Sequence, residues 1–304
     1  MRGSAELAQK ILRGDRLSLA RGITLVESTP GSAPGLLKAL RPPRRAFIVG
    51  VTGPPGTGKS TLVDRLISQY RKMNLRVGVI AVDPSSPITG GALLGDRIRM
   101  AGHGEDSGVF IRSMASRGWT GGLSRATSSA VQILDSAGFD LVLLETVGIG
   151  QSDVEVVGIT HAVIVVLMPG LGDDVQVSKA GLMEVGDIYV VNKADLEGAN
   201  QMVTILLGAL RGRPQSPSVL RLSALPGKDI AGLVDAIEEI RARFSKAPKE
   251  LNLRSLRGMI VETARGNLAE SLQRVSESKA DEMASQVLLG RLTVEEAALR
   301  IFGN

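Results

Sequence analysis

Nearly continuous runs of valine, isoleucine and leucine recur through the middle of the chain. Six such stretches read AFIVGVTG, RVGVIAVD, FDLVLLETV, HAVIVVLMP, DIYVVNKAD and SVLRLSAL. Segments with helical spacing of apolar residues separate them, and buried strands that alternate with helices favour a parallel sheet covered on both faces. We therefore predict a doubly wound α/β domain with a mostly parallel sheet over residues 45–245.

The N-terminal part of the chain shows helical periodicity instead. In residues 5–40, Leu7, Ile11 and Val26 recur among charged residues at helical spacing. Glycine and proline then interrupt the pattern before the first predicted strand. This pattern predicts a helical N-terminal arm over residues 1–44.

The C-terminal part, residues 246–304, is predicted to form a second helical segment. Thr293 and Glu296 make a capping box at the start of its last helix. An apolar stripe precedes it, formed by Leu256, Ile260, Leu268, Leu272 and Val275. The stripe has three candidate partners, namely a second copy of the chain, the N-terminal arm or another protein, and we favour the contact of a dimer.

Composition narrows the class of protein. The chain has 304 residues, of which 43% are hydrophobic, and it has no cysteine. That is enough for a packed core and excludes a disulfide scaffold. The apolar runs are about seven residues long, against the roughly 20 that span a bilayer. Since the N-terminus also lacks the pattern of a secretory signal, we expect a cytoplasmic protein without a membrane segment.

The positive charge of the chain is local. Residues 1–45 contain nine Lys and Arg against three Asp and Glu, so this arm carries all of the net charge of +5. Single-stranded nucleic-acid sites combine such charge with aromatic stacking platforms. Aromatic residues make up only 3% of the chain and none precedes Phe47, so solvated helix faces are favoured over a nucleic-acid surface.

The segment GPPGTGKST follows the first predicted strand and precedes a predicted helix. It matches the pattern G-x-x-x-x-G-K-[ST], in which glycines turn backbone N–H groups toward phosphates and the helix N-terminus adds positive partial charge. Lys59 is expected to bridge the terminal phosphates, and Ser60 to bind Mg²⁺. The predicted phosphate-binding residues are Gly53, Pro54, Pro55, Gly56, Thr57, Gly58, Lys59, Ser60 and Thr61.

A second motif predicts which base is bound. The stretch VVNKAD places an N-K-x-D pattern at the end of a buried strand. A carboxylate at its last position accepts hydrogen bonds from N1–H and the exocyclic amine of guanine, which adenine does not offer. Such polar pairing rejects the wrong ligand by roughly 10⁴-fold, so GTP and GDP are the expected ligands. With the later S-A-L stretch, the predicted base-binding residues are Asn192, Lys193, Asp195, Ser223, Ala224 and Leu225.

Three acidic residues are candidates for a magnesium site. Asp83 and Glu145 each end a predicted strand, and Asp96 lies in the glycine-rich stretch TGGALLGDRIRM. The carboxyl edge of such a sheet is where ligands bind, and Mg²⁺ prefers hard oxygen ligands. The predicted metal ligands are therefore Ser60, Asp83, Asp96 and Glu145. The alternative is that Asp83 and Glu145 only end their strands and that Asp96 is an exposed loop residue.

The stretch LETVGIGQ leaves the hydrolytic step open. Many GTPases orient the attacking water with a glutamine directly after the glycine, whereas this chain has Ile149 after Gly148. Such a site should hydrolyse GTP slowly by itself, because a supplied charge or orienting group contributes about 10³ to 10⁵ in rate.

Together these motifs resemble the MeaB family of GTPases. The resemblance is carried by VTGPPGTGKST, VDPSSPITGGALLGDRIRM, ETVGIGQSDVEV and PGLGDDVQVSKAGLMEVGDIYVVNKAD, and it extends from about residue 5 to the C-terminus. Proteins of this family are chaperones of the B12-dependent enzyme methylmalonyl-CoA mutase. The resemblance implies a GTPase that gates adenosylcobalamin delivery to that mutase, or to a related acyl-CoA mutase, and protects it.

The resemblance also implies partners and a mobile catalytic segment. It implies a homodimer and an adenosyltransferase as a further partner. The third switch of the family matches GDDVQVSKAG, which contains Asp173, Asp174, Gln176 and Lys179. We expect mutase binding to bring Gln176 or Lys179 toward the phosphates, where they would join Lys59 and Glu145 as the catalytic residues. Gln151 is the competing candidate.

Three other classes remain as alternatives, and one of them is a scaffold that binds GTP tightly without hydrolysing it. Several bacterial relatives of the family carry an older label, an ATPase or kinase of lysine/arginine/ornithine transport, which conflicts with the guanine preference predicted for Asp195. A nickel-insertion GTPase has a similar fold, but such proteins commonly carry His-rich or Cys/His tracts. Two scattered histidines and no cysteine argue against that function.

Overall fold

The protein is built on one parallel sheet. The computed structural model describes residues 2–28, 33–40, 46–83, 101–115, 125–146, 158–170, 182–213, 217–225, 227–246, 253, 255–261, 263–265, 268 and 277–302. Within these residues the sheet has seven strands, namely β1 (Phe47–Thr52), β2 (Val77–Asp83), β3 (Val109–Ala115), β4 (Leu141–Glu145), β5 (Ala162–Leu167), β6 (Ile188–Val191) and β7 (Ser218–Arg221). Their order is β3-β2-β4-β1-β5-β6-β7 and every pair is parallel. The predicted doubly wound α/β fold is confirmed.

Helices precede the sheet, connect its strands and follow it. In chain order they are α1 (Arg2–Leu12), α2 (Arg16–Ser28), α3 (Ala33–Ala39), α4 (Lys59–Lys72), α5 (Arg125–Ser136), α6 (Leu182–Val185), α7 (Ala199–Ala209), α8 (Ile230–Lys246), α9 (Glu277–Leu288) and α10 (Val294–Phe302). A 3₁₀ turn covers Ala101–His103. No helix in the described ranges combines the length and the apolar composition needed to cross a membrane.

The two faces of the sheet form two separate cores, as the alternation of side chains along a strand requires. On β4, Val142 and Leu144 belong to one buried cluster, whereas Leu141 and Leu143 belong to the other. All four side chains are fully buried. Strands buried on both faces explain why the sequence shows continuous apolar runs rather than alternation.

The N-terminal helices pack onto the sheet rather than standing apart from it. Ile11 of α1, Ile23 of α2 and Leu36 of α3 are fully buried in the same cluster as Leu134 of α5 and Val142 of β4. Arg112 of β3 adds an ion pair to Glu27 of α2, with 2.8 Å between Nη2 and Oε2. The division of the chain into units at residues 44 and 245 stays a prediction.

Strand β3 is absent from the six strands predicted from the sequence. Its residues read VFIRSMA, so Arg112 and Ser113 interrupt the apolar run by which the other strands were recognised. The strand lies at the edge of the sheet, next to β2 alone. An edge strand is only partly covered and therefore tolerates polar residues that a central strand would exclude.

The last helix begins as predicted. The Thr293 backbone N–H donates to Glu296 Oε2 at 2.8 Å, and the Glu296 N–H donates to Thr293 Oγ1 at 3.1 Å. This reciprocal pair is the capping box. The N–H of Thr293 holds the pKa of the Glu296 carboxyl below its ordinary value.

The helical stretch 255–261 docks where β5 begins. His161, just before β5, accepts a hydrogen bond at Nδ1 from the Ile48 N–H at 3.0 Å, and its Nε2 lies 3.3 Å from the hydroxyl of Ser255. Gly258 lies directly against the backbone of Gly158, so that an added Cβ would overlap the Gly158 carbonyl. Two glycines thus permit backbone-to-backbone packing at this point.

We expect Gly258→Ala to lower the stability of the protein. The new methyl group meets backbone, which cannot move aside like a flexible side chain, and such overpacking costs about 1–3 kcal/mol. Thermal unfolding measures this loss. The matched control is Gly208→Ala in α7, where an added Cβ has no neighbour within 4 Å. A helical Gly→Ala change there should be neutral or stabilising, and equal effects of the two variants would contradict the docking contact.

Candidate active site

Strand β1 positions the site. It lies between β4 and β5, at the point where the chain has built one half of the sheet and crosses to the other. In open α/β sheets this switch point forms a crevice at the carboxyl ends of the strands, where ligands bind. The loop after β1, residues 53–58, therefore enters the crevice, and α4 begins directly after it.

Glycines determine the shape of this loop. Gly53, Gly56 and Gly58 have φ values of 136°, 78° and 92°, which lie in the region that L-residues with a side chain rarely adopt. Gly53 also packs on the backbone of β5, since an added Cβ would overlap the Val166 carbonyl oxygen. At Gly58, an added Cβ would overlap the side-chain amide of Asn192. The glycine pattern is thus explained by both backbone conformation and contact.

Lys59, the first residue of α4, is buried with its side chain against the loop. Its side chain donates hydrogen bonds to the carbonyl oxygens of Gly53 at 2.8 Å and Pro54 at 3.1 Å, and only 7% of the residue is exposed. Thr57 closes the same turn, because its hydroxyl donates to Pro54 O at 2.9 Å. The ammonium group is therefore held at the mouth of the loop, where the motif requires it to meet phosphate oxygens.

Ser60 and Glu145 meet at the start of α4. The hydroxyl of Ser60 donates to Glu145 Oε1 at 2.7 Å, and both residues are buried. Beside them the Thr146 hydroxyl donates to Thr52 Oγ1 at 3.0 Å. The two residues predicted to bind magnesium from β4 and α4 are thus brought together. A hydroxyl and a carboxylate side by side form a donor set that suits a hard divalent cation.

Of the remaining predicted metal-binding and catalytic residues, the structure describes Asp83 alone. Asp83 is the last residue of β2, two positions beyond the residue paired with Glu145, so it lies at the same edge of the sheet. Asp96, Gln176 and Lys179 lie outside the described residues. Within the described part of the chain, no three His, Asp or Glu side chains form a group able to hold a metal ion.

Asn192 connects the two halves of the predicted nucleotide site. Its side-chain N–H donates to the Thr57 carbonyl of the phosphate loop at 2.7 Å, and its Oδ1 accepts from the Ala224 N–H at 3.0 Å. The residue is buried. It follows that the N-K-x-D residues, the S-A-L residues and the phosphate loop form one connected unit.

Asp195 is exposed at the edge of this unit. Its Oδ1 accepts a hydrogen bond from the Ser223 hydroxyl at 2.7 Å. This hydrogen bond holds the pKa of the Asp195 carboxyl below its ordinary value, so the group is ionised at neutral pH. Lys193, two residues before Asp195, adopts a left-handed conformation with φ of 55°. Leu225 is 78% exposed beside them.

One residue of this unit was not predicted from the sequence. Arg65 of α4 donates from Nε to the Ala224 carbonyl at 3.0 Å and from Nη2 to the Leu225 carbonyl at 2.6 Å. No motif contains it, and its acceptors are backbone atoms 159 and 160 positions away in sequence. A contact of this kind leaves no pattern of residue types that could have predicted it.

Comparison with known proteins identifies the family of the chain. The family model described as "Methylmalonyl Co-A mutase-associated GTPase MeaB" matches residues 19–277. The chain belongs to the MeaB family. As a member of the MeaB family it is a GTPase, which binds GTP and GDP and hydrolyses GTP.

Relatives of this MeaB-family chain come from archaea, bacteria and mammals. It is 45% identical over 320 residues to a putative GTPase of Pyrococcus abyssi, with 96% of this chain and 99% of that protein covered. The GTPase ArgK of Escherichia coli is 38% identical over 254 residues, covering 79% and 77%. The mitochondrial methylmalonic aciduria type A homolog of Mus musculus is 34% identical over 254 residues, covering 76% and 61%.

A solved structure with the same architecture is that of a protein named LAO/AO transport system kinase. It superposes on this MeaB-family chain with a TM-score of 0.72 at 26% sequence identity, covering 99% of this chain and 97% of that one. The superposition supports the parallel sheet with flanking helices as the fold of the family.

Proposed function

We propose that this GTPase is a chaperone of methylmalonyl-CoA mutase, or of a related acyl-CoA mutase, that gates adenosylcobalamin loading and protects the enzyme. The observation that carries the proposal is the match of the mutase-associated family model over residues 19–277. The relationship to the mouse methylmalonic aciduria type A homolog supports it. An adenosyltransferase would be a further partner, and the cytoplasm the compartment.

In this proposal the phosphate loop and Lys59 bind the β- and γ-phosphates of GTP. Ser60 Oγ and Glu145 Oε1 lie 2.7 Å apart at the start of α4. These two residues would hold Mg²⁺ together with Asp83 and Asp96. Bound Mg²⁺ would neutralise charge on the phosphate oxygens. Asp195 and the loop from Ser223 to Leu225 would bind the base, since Asp195 is ionised and aligned by Ser223.

We expect the mutase to accelerate GTP hydrolysis by roughly 10³-fold, because the site has Ile149 where a water-orienting glutamine is common. Gln176 or Lys179 would supply the missing group when the mutase binds. GTP turnover of the full chain with and without the mutase measures this effect. Gln176→Ala and Lys179→Ala should reduce the stimulation, whereas Gln201→Ala on the exposed surface of α7 should not.

Two outcomes would count against this part of the account. Equal and fast rates with and without the mutase would mean that the isolated site is already complete. Loss of stimulation in Gln151→Ala alone would transfer the role to Gln151.

A homodimer is the assembly that we favour. Large apolar side chains are exposed on the C-terminal helices, with Leu288 89%, Val294 68% and Leu299 74% exposed. Exposed apolar surface of this kind marks association sites, which supports a contact between two copies through residues 246–304. Sedimentation velocity of the full chain tests the assembly.

The second candidate is an ATPase or kinase of lysine/arginine/ornithine transport. The observation that favours it is the structural similarity, with a TM-score of 0.72, to a protein named LAO/AO transport system kinase. This candidate requires ATP to compete with GTP and a protein substrate to become phosphorylated. Asp195 opposes it, since adenine would leave its carboxylate without the donors that guanine provides.

A further inference from the structure

We propose that Arg65 is a positioning residue that holds the base turn, defined here as residues 223–225, 227 and 228, in a fixed place relative to the phosphate loop. By doing so it raises the affinity of the site for guanine nucleotides. The inference rests on the proposed binding of the base by Asp195 and the base turn. It adds a residue that neither nucleotide motif contains.

The base turn is closed by its own backbone hydrogen bonds. The Gly227 N–H donates to Ala224 O at 3.0 Å, and the Lys228 N–H donates to Ser223 O at 3.1 Å. Gly227 adopts a φ of 71°, a conformation that favours glycine. These bonds set the shape of the turn but do not attach it to the phosphate loop.

Arg65 supplies that attachment from α4. Its Nε and Nη2 donate to two successive carbonyls of the turn, Ala224 O at 3.0 Å and Leu225 O at 2.6 Å. The guanidinium is a planar fork whose donors have a fixed relative geometry. A pair of bonds from such a fork determines the orientation of the turn as well as its distance, which a single bond would not do.

Helix α4 joins Arg65 to the residues that are predicted to bind the phosphates. Lys59 and Ser60 occupy the first positions of α4, and Arg65 follows less than two turns later on the same helix. The phosphate-binding end and the base turn are therefore fastened to one rigid element. Asn192 makes the second connection, from Thr57 O to the Ala224 N–H, so Ala224 is held through both its carbonyl and its amide.

The chemical consequence concerns binding of the base and not the reaction of the phosphates. Without Arg65, the Leu225 carbonyl loses its charged donor and the turn gains freedom that nucleotide binding must remove. In the proposed site, GTP and the hydrolytic transition state would contact the base turn in the same manner, so the loss of Arg65 would weaken the binding of both equally. Such a loss raises KM and leaves kcat unchanged.

The test measures GDP affinity by calorimetry, and kcat and KM for GTP, in the full chain with Mg²⁺. Arg65→Ala should weaken GDP binding by about tenfold, since hydrogen bonds to charged groups contribute at that level. KM should rise by a similar factor with kcat unchanged. Arg65→Lys should show most of the same loss, because an ammonium does not reproduce the fork. The control is Lys72→Ala, which removes a positive charge from an exposed position of α4.

Several outcomes would overturn the inference. These are GDP affinity of Arg65→Ala within twofold of the unchanged chain, a fall in kcat at constant KM, or full GDP affinity in Arg65→Lys when Arg65→Ala is impaired. If Arg65→Ala does not fold, the GDP affinity and KM of Arg65→Lys decide the question. Failure of the unchanged chain to bind GDP would instead remove the proposed site, which separates the two failures.

Discussion

Replacing Asp195 with asparagine should shift the base preference of the site from guanine toward xanthine. The carboxylate accepts two hydrogen bonds from guanine, whereas an amide offers one acceptor and one donor, and the donor suits the 2-oxo group of xanthine. GDP affinity should fall on the order of 10⁴-fold, as in sites built to hydrogen-bond the polar groups of one ligand. Calorimetric titration of Asp195→Asn with GDP and XDP measures both changes.

The matched control for this variant is Glu197→Gln, which neutralises an exposed carboxylate two positions away. It should bind GDP like the unchanged chain. The hydrogen bond from Ser223 lowers the pKa of Asp195, so the ionised form that binds guanine persists through the ordinary carboxyl range. GDP affinity should then be constant near neutral pH and fall only as the pH drops through this lowered pKa. Undiminished GDP binding by Asp195→Asn would rule out the proposed base contact.

Glu145→Gln should reduce GTP hydrolysis by roughly 10²-fold, a typical loss when one electrostatic contact to the reacting groups is removed. The glutamine side chain has nearly the same size and keeps an acceptor for the Ser60 hydroxyl. In the unchanged protein that hydroxyl lies 2.7 Å from Glu145 Oε1. It removes the negative charge that the proposed Mg²⁺ site requires. Single-turnover GTP hydrolysis at several Mg²⁺ concentrations checks this, and the variant should need more Mg²⁺.

Asp140→Asn is the control for Glu145→Gln because the two acids flank the same strand at opposite ends. Asp140 Oδ2 accepts from the Arg76 N–H at 2.7 Å, away from the carboxyl edge of the sheet. Asp140→Asn should lower the stability of the protein and leave the Mg²⁺ dependence of GTP hydrolysis unchanged. Unchanged hydrolysis in Glu145→Gln would mean that this carboxylate only ends β4.

The parts of the site that were predictable are those in which residue type and backbone shape are coupled. Gly53 and Gly58 are needed because a Cβ would overlap the Val166 carbonyl or the Asn192 side chain. Lys59 and Ser60 follow at fixed spacing on the helix that the loop begins. Because these constraints are local, the sequence pattern was sufficient to predict the loop and the strand before it.

Three features were not predicted, for different physical reasons. Strand β3 carries Arg112 and Ser113 at the edge of the sheet, where partial exposure removes the continuous apolar run. Arg65 binds backbone carbonyls, which every residue possesses, so the identities of residues 224 and 225 give no indication of the contact. The linking role of Asn192 was likewise hidden, since the motif indicates base binding but not the bond to Thr57 O.

The roles of Asp96, Gln176 and Lys179 depend on segments outside the described residues. The glycine-rich stretch around Asp96 and, for Gln176 and Lys179, the resemblance to the family indicated these roles, and they stay predictions. They concern how hydrolysis is completed and stimulated. The identity of the nucleotide depends on other residues, namely the phosphate loop, Asn192 and Asp195.

Calorimetric titration of the full chain with GDP and with ADP, each with Mg²⁺, tests the central claim most directly. The claim is that the phosphate loop and Asp195 form one site that selects guanine nucleotides. GDP should bind at one site per chain, and ADP more weakly by on the order of 10³-fold or more. Absence of heat with GDP, or equal affinity for ADP, would contradict it.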